Sequence, residues 1–238
     1  MGRAEDRERL GALLVRNREL RSSAMLDDVL ASALPALQRW QADRLARTYA
    51  DLRREDRYRE AVTFFLSDLY GPVDFARRDA DLLRVYRVMS RLLPPRALEA
   101  LCLAVELESL TQALDADVAR LHGAGVIDAA SYARAYRAAG RQPDRERQIE
   151  LVLHTGRYLD ELVSHPLIHT AIRIARKPAH AAGFGSLQEF LEHGFDAFNR
   201  MAGAEVLLRT IETRETRIME RLFAGDPDPF RLEDDRTA

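Results

Sequence analysis

The stretch Phe64–Gly71, reading FFLSDLYG, constrains this chain more than any other. The rings of Phe64, Phe65 and Tyr70 crowd in with Leu66 and Leu69, and Gly71-Pro72 closes the run. Tyr58, Ala61, Val62, Phe65 and Leu69 recur at three- and four-residue steps, the period of an α-helix. Phe64 and Leu66 widen that stripe beyond one face, so the helix predicted over 58–70 must be enclosed by neighbours. Gly71 suits a left-handed residue after the helix, and Pro72 cannot continue it. Asp74 then fits an N-cap, with Phe75, Leu82, Tyr86, Met89 and Leu93 on one face of a following helix. The acid Asp68 and the charges at Arg77, Arg78, Asp79 and Asp81 read as an ion-paired flank of this pair of helices.

The same period runs through the rest of the chain. Residues 3–21 are charged and helix-prone, with Leu10, Leu13, Leu14 and Leu20 as a thin apolar edge that leaves room for mobility. Ser22-Ser23 is placed to start a short helix, and Pro35 to open another in which Leu37, Trp40, Leu45, Tyr49 and Leu52 face inward. The other side of that helix, with Arg44, Arg47, Asp51, Arg53 and Arg54, reads as solvated. Pro94-Pro95 starts a long helix to His122, where Leu103, Leu107, Leu110, Leu114, Val118 and Leu121 form a bundle-packing stripe. Asp128 caps a short successor carrying Tyr132 and Tyr136. A helix from Asp144 to Ser164 packs through Ile149, Val152, Gly156, Leu159 and Val163. The last two helices carry Leu187, Phe190, Leu191, Phe195 and Phe198, then Leu207, Ile211, Ile218 and Leu222.

The expected fold is therefore all-α: one bundle-like domain of eight to ten helices, with no significant β-sheet. Residues 1–22 form a charged N-terminal helix and 23–225 the helical domain, with a subdomain boundary candidate at 140–144. An extended acidic tail over 226–238 is placed to fold back by Phe230.

FFLSDLYG also resembles the motif of a bacterial family named for FFLEELY. Phe64, Phe65, Leu66, Leu69 and Tyr70 match that motif, while Ser67 and Asp68 stand where it has glutamates. The continuation through Gly71-Pro72, Phe75 and Arg78-Asp79, and the leucine-rich helix after Pro94-Pro95, extend the likeness to about a quarter of the chain. The resemblance implies an all-helical bacterial protein and no particular activity.

Composition bounds the partners. A chain of 238 residues with 47% hydrophobic and 31% charged residues can bury about 70% of its unfolded surface. The net charge of −2 disfavours nucleic acid and anionic membranes as general partners. The one cysteine, Cys102, allows no internal disulfide and suits a reducing compartment. No signal peptide or uncharged span is apparent, so a cytoplasmic protein is expected.

Two residue sets carry chemical possibilities. Glu106 flanks the long helix between Leu103 and Leu110. Glu150 with His154, and Glu161 with His165, share a face at four-residue spacing, as do Glu189 and His193. Such carboxylates and imidazoles can ligate a metal or pair with arginines, though neither HExxH nor the di-iron ExxH spacing is present. The second set lies in a window without acids, 162–188. There His169, Arg173, Arg176 or Lys177, and His180 fall on one side of a helix begun by Pro166, opposite Ile168, Ala171, Ile172 and Ala175. Gly185 and Ser186 open the next helix, with Ser186 and Glu189 spaced as a capping box. That turn could hold a phosphate or carboxylate, or the cations could meet the acids Glu233, Asp234 and Asp235. There is no GxSxG elbow, no P-loop and no GxGxxG fingerprint, and Cys102 reads as a small core residue. The leading expectation is a non-enzymatic binding or interaction protein, with a homo-oligomer or a protein partner. The alternative is a helical protein holding a small anion or a metal ion, with catalysis left open and no cofactor specified.

Overall fold

The computed structural model of the protein describes residues 3–66, 84, 86 and 95–232. Among the described residues there are ten α-helices and no strand: α1 Arg3–Leu26, α2 Asp28–Thr48, α3 Ala50–Arg54, α4 Asp56–Phe64, α5 Pro95–His122, α6 Ala129–Ala139, α7 Gln142–Val163, α8 Pro166–Ala181, α9 Gly185–Met201 and α10 Glu205–Ala224. The fold is all-α, as the periodicity requires.

The long helix α5 touches α1, α2, α6 and α7. Twenty-eight residues without glycine, rich in Leu, Ala and Glu, favour one uninterrupted helix after Pro95. Leu98, Cys102 and Val105 meet Leu10 and Leu14 of α1, and Val118 and Ala119 meet α2, α6 and α10. Leu121 lies outside this contact and is 53% exposed. Leu10 and Leu14 are wholly buried. Each such leucine contributes about 1.5–3 kcal/mol relative to exposure, so the thin apolar edge of α1 suffices to dock it.

The break between α1 and α2 falls at Asp27, not at Ser22-Ser23, and Pro35 lies inside α2 rather than at its start. Asp27 Oδ1 accepts from the backbone N–H of Val29 and Leu30, both at 3.1 Å. That satisfies two of the donors a helix start leaves unpaired. Burial of Leu30, Ala33 and Leu37 on either side of Pro35 outweighs the proline's cost of about 3 kcal/mol.

Phe64 ends α4 in the core, its ring 5.3 Å from that of Phe190. It also sits so close to α9 that a Cβ on Gly194 would lie 2.8 Å from Phe64 Cζ. Phe65 and Leu66 are half-buried against the same cluster. Ser67, Asp68, Leu69 and Tyr70, with Gly71-Pro72 and most of the predicted Asp74 helix, lie outside the described residues.

Asp128 caps α6 through a reciprocal pair with Ser131. Gly156 brings α7 against α10: a Cβ there would run into the Leu208 side chain. By contrast none of the described side chains of α8 is fully buried; Ile168 and Ile172 are half-buried, while Ala171, Ala175 and Ile174 are exposed. The Ser186 capping box does not form, because α9 begins earlier. Phe184 is its N-cap, the Phe184 carbonyl accepts from Gln188 N at 3.0 Å, and Ser186 is already inside the first turn. The chain after α10 folds back so that Phe230 meets Trp40 and Tyr132, with ring centroids 5.6 and 6.0 Å away.

Candidate functional site

Of the residues read as metal candidates, the structure ties the acids to arginines. Glu106 accepts from Arg9 of α1 and from Arg147 of α7, the latter at 2.9 Å. Burial raises the Glu106 carboxyl, yet Arg147 and Arg9 together hold it below its ordinary value. Glu150 accepts from Arg147 at 3.2 Å, and Glu161 pairs with Arg96. His154 and His165 are exposed, His165 as the N-cap of α8. Among the described residues no group of three or more His, Cys, Asp or Glu is placed to hold a metal. Cys102 is wholly buried, its thiol 3.4 Å from the Asp6 carbonyl and pushed up by burial to about 11.

The basic stripe lies on the outer helix. Arg173 and Lys177 are exposed on α8. Arg176 is bound by Glu192 of α9 at 2.8 and 2.5 Å. That pairing, with Gln188, draws the Glu192 carboxyl down to about 2. The acidic neighbour is thus Glu192; Glu233, Asp234 and Asp235 lie outside the described residues. Gly185 and Ser186 do open α9, but the His180 ring covers that end, 2.8 Å from where a Gly185 Cβ would stand.

The densest polar arrangement lies elsewhere, inside the bundle, and was not among the predicted sites. Two of the three apolar clusters found among the described residues meet there. One runs from Leu45 and Tyr49 through Phe64, Val152, Phe198 and Ile211; the other joins Leu37, Val118, Tyr132, Tyr136, Ile218 and Leu222. Where they meet is a cavity of about 80 Å³, lined by α2, α5, α6, α7 and α10. Gln41, Arg44, Tyr49, Thr111, Asp115, Tyr132, Tyr136, Arg145, Gln148 and Glu215 supply its polar wall.

Helix register puts them there. Gln41 lies four residues from both Leu37 and Leu45, Glu215 between Ile211 and Ile218, and Arg145 four before Ile149 and seven before Val152. Each occupies an inward position of an apolar stripe and must point at the core. Arg44, read as solvated, is a correction of the same kind: its side chain is only 12% exposed and donates to both Glu215 oxygens, at 2.7 and 2.9 Å. The Tyr49 hydroxyl donates to Glu215 Oε1 at 2.9 Å. Burial, with Glu215 beside it, keeps the Tyr49 phenol well above its ordinary value.

On the other wall Gln41 donates to Asp115 Oδ1 at 2.9 Å and Gln148 to the Thr111 hydroxyl at 2.8 Å. Burial pushes the Asp115 carboxyl up, although Arg145 and Gln41 pull the other way. Arg145 is only 6% exposed. It donates to Gln148 Oε1 at 3.2 Å and to the Leu114 carbonyl at 3.4 Å, and its guanidinium lies 4.4 Å from the Tyr136 ring centre. None of these contacts carries a negative charge. Arg44 Nε, also buried, has no hydrogen-bond partner.

Chemically, this is a small, partly open space facing donors of both charged and neutral kinds, in a bundle interior where an unmet donor is costly. No described helix is long and apolar enough to cross a membrane. No curated protein and no solved structure matches the chain. A family model described as a domain of unknown function (DUF8198) matches residues 20–229, and the chain belongs to that family.

Proposed function

We propose that this chain is a binding protein whose ligand is a small polar molecule held in the interior cavity. The reading keeps binding as the function and moves the ligand from the surface stripe of α8 to the bundle interior. One observation carries it: two buried guanidinium groups, one with an unpartnered Nε and one with only neutral contacts, face the same cavity. A structural core would be served better by apolar side chains of equal volume, because buried charge is costly unless fully met. A ligand that supplies the missing acceptors removes that cost, and the protein need carry the strain only while empty.

The test is retention. Protein purified under native conditions is denatured and its small-molecule extract compared with that of Thr111→Leu, which fills the cavity with an apolar side chain. A compound released in stoichiometric amount by the wild type and lost from the variant supports the reading. Extracts that are identical, together with identical melting curves across a small-molecule panel, overturn it.

A further inference from the structure

We infer that the cavity binds a small monocarboxylate and takes up one proton with it, the proton going to Asp115. The inference rests on the cavity being the binding site, and adds the class of ligand and the coupling.

Charge bookkeeping within the cavity comes first. Arg44 and Tyr49 face it from α2 and its C-cap, Asp115 from α5, Tyr132 and Tyr136 from α6, Arg145 from α7 and Glu215 from α10. Burial keeps the phenols of Tyr49 and Tyr136 above their ordinary value, so they remain neutral donors. Glu215 is tied to Arg44 by two hydrogen bonds and to Tyr49 by a third, and that pair cancels. What remains is one guanidinium, Arg145, and one carboxyl, Asp115. They influence each other through the field, but Asp115 takes its hydrogen bond from Gln41 and Arg145 spends its donors on neutral oxygens.

Shape selects the ligand. A guanidinium presents parallel N–H groups that match the two oxygens of a carboxylate. A cavity of about 80 Å³ admits a few waters or a carboxylate on a short stem, such as one of one or two carbons. A second negative charge on the ligand would exceed the single guanidinium left to meet it.

Occupancy then forces the proton. With ligand on Arg145, two carboxylates share one cation in a low-dielectric interior, and both cannot stay ionised. Asp115 has one hydrogen-bond donor and a burial that opposes its charge, so it accepts a proton from solvent. As a neutral acid it offers its O–H to the ligand. The balance is one carboxylate and one proton in, with no bond broken.

Full-length protein is titrated with sodium acetate and sodium formate between pH 5 and 8, at ionic strength matched with sodium chloride. Binding is read from the shift in melting temperature and from line broadening of ¹³C-labelled acetate. For one coupled proton, acetate affinity falls by up to about tenfold per pH unit on the alkaline side. Asp115→Asn, which keeps an acceptor for Gln41 and mimics the protonated acid, retains acetate binding with a flat pH profile. Arg145→Gln loses binding at every pH while its circular dichroism stays that of the wild type. Should that variant not fold, the contrast in slope between wild type and Asp115→Asn decides alone. A flat wild-type profile, or equal slopes in wild type and Asp115→Asn, overturns the coupling. If neither acid binds but the native extract contains a neutral compound, the carboxylate assignment falls and the cavity reading stands. If neither acid binds and nothing is retained, both fall.

Discussion

The bundle interior and the α8–α9 edge hold the same residue types and put them to different use. At the edge, Arg176 is 61% exposed and meets Glu192 of the next helix, whose side chain is 16% exposed. In the interior, Arg44 and Glu215 are 12% and 19% exposed and are enclosed by Tyr49 and Tyr132. Each pair has two hydrogen bonds between one arginine and one carboxylate, Arg176 through two nitrogens and Arg44 through Nη1 alone. What separates them is the exposure of the arginine, 61% in the first and 12% in the second. Water screens the first and makes it nearly dispensable, whereas the second cannot lose a partner without leaving a charge stranded.

The comparison breaks most visibly at Glu215. Glu215→Ala leaves Arg44 buried without its acid and Tyr49 without its acceptor. The expected loss is about 3 kcal/mol, at the low end for breaking a buried pair because neither side chain is wholly enclosed. For a chain of this size that is a fall of roughly 6–12 °C in melting temperature. A loss no larger than that of an edge variant would show that water reaches the cavity freely and that interior and edge are electrostatically alike.

How far this was legible in the sequence depends on which residues are asked. The fold was legible because leucines at three- and four-residue steps leave no alternative to helices, and α5 runs from Pro95 to His122 as its pattern requires. Boundaries were less so: Asp27 outcompetes Ser22-Ser23 as a cap, and core burial overrides Pro35 as a helix start. The interior site was present in the sequence in an overlooked form. The stripe Leu207, Ile211, Ile218, Leu222 skips one turn, and Glu215 fills it. Leu37 and Leu45 are bridged by Gln41, and Arg145 precedes Ile149 and Val152 in the same register. A polar residue in an inward position of an apolar stripe is a stronger signal than a cluster of charges on a polar face. Asp115 was harder, since it shares a short acidic stretch with Asp117, which is partly exposed and paired with Arg141. Nor can one helix reveal that five of them bring such residues to a common space.

Glu106 lies between the two regimes and sharpens the contrast through pH. It is 25% exposed, and Arg9 and Arg147 hold its carboxyl below the ordinary value despite burial. A folded value below the unfolded one means that its contribution is complete above about pH 4.5 and is lost as pH falls through the lower value. Glu106→Gln should cost about 1 kcal/mol at pH 7, discounted for the partial exposure of both arginines. The gap to wild type should close below about pH 4 and shrink in high salt. Urea midpoints measured across that range test the sign. A gap that widens on acidification would mean that the glutamate is held in its neutral form.

Arg176→Ala should do least. The Glu192 carboxyl is drawn down to about 2, yet the Arg176 guanidinium that holds it is 61% exposed and screened by water. On losing Arg176, Glu192 keeps Gln188, which donates to it at 2.9 Å, and the rest of its charge turns to water. The side-chain order that the pair demands is released at the same time, offsetting the lost attraction. The urea midpoint of the variant should match that of wild type at both low and high salt. A clear, salt-sensitive drop would instead mean that α8 is pinned to α9 by charge. The shallow apolar contact through Ile168 and Ile172 would then be too weak to hold the outer helix, and the edge would belong to the interior's regime.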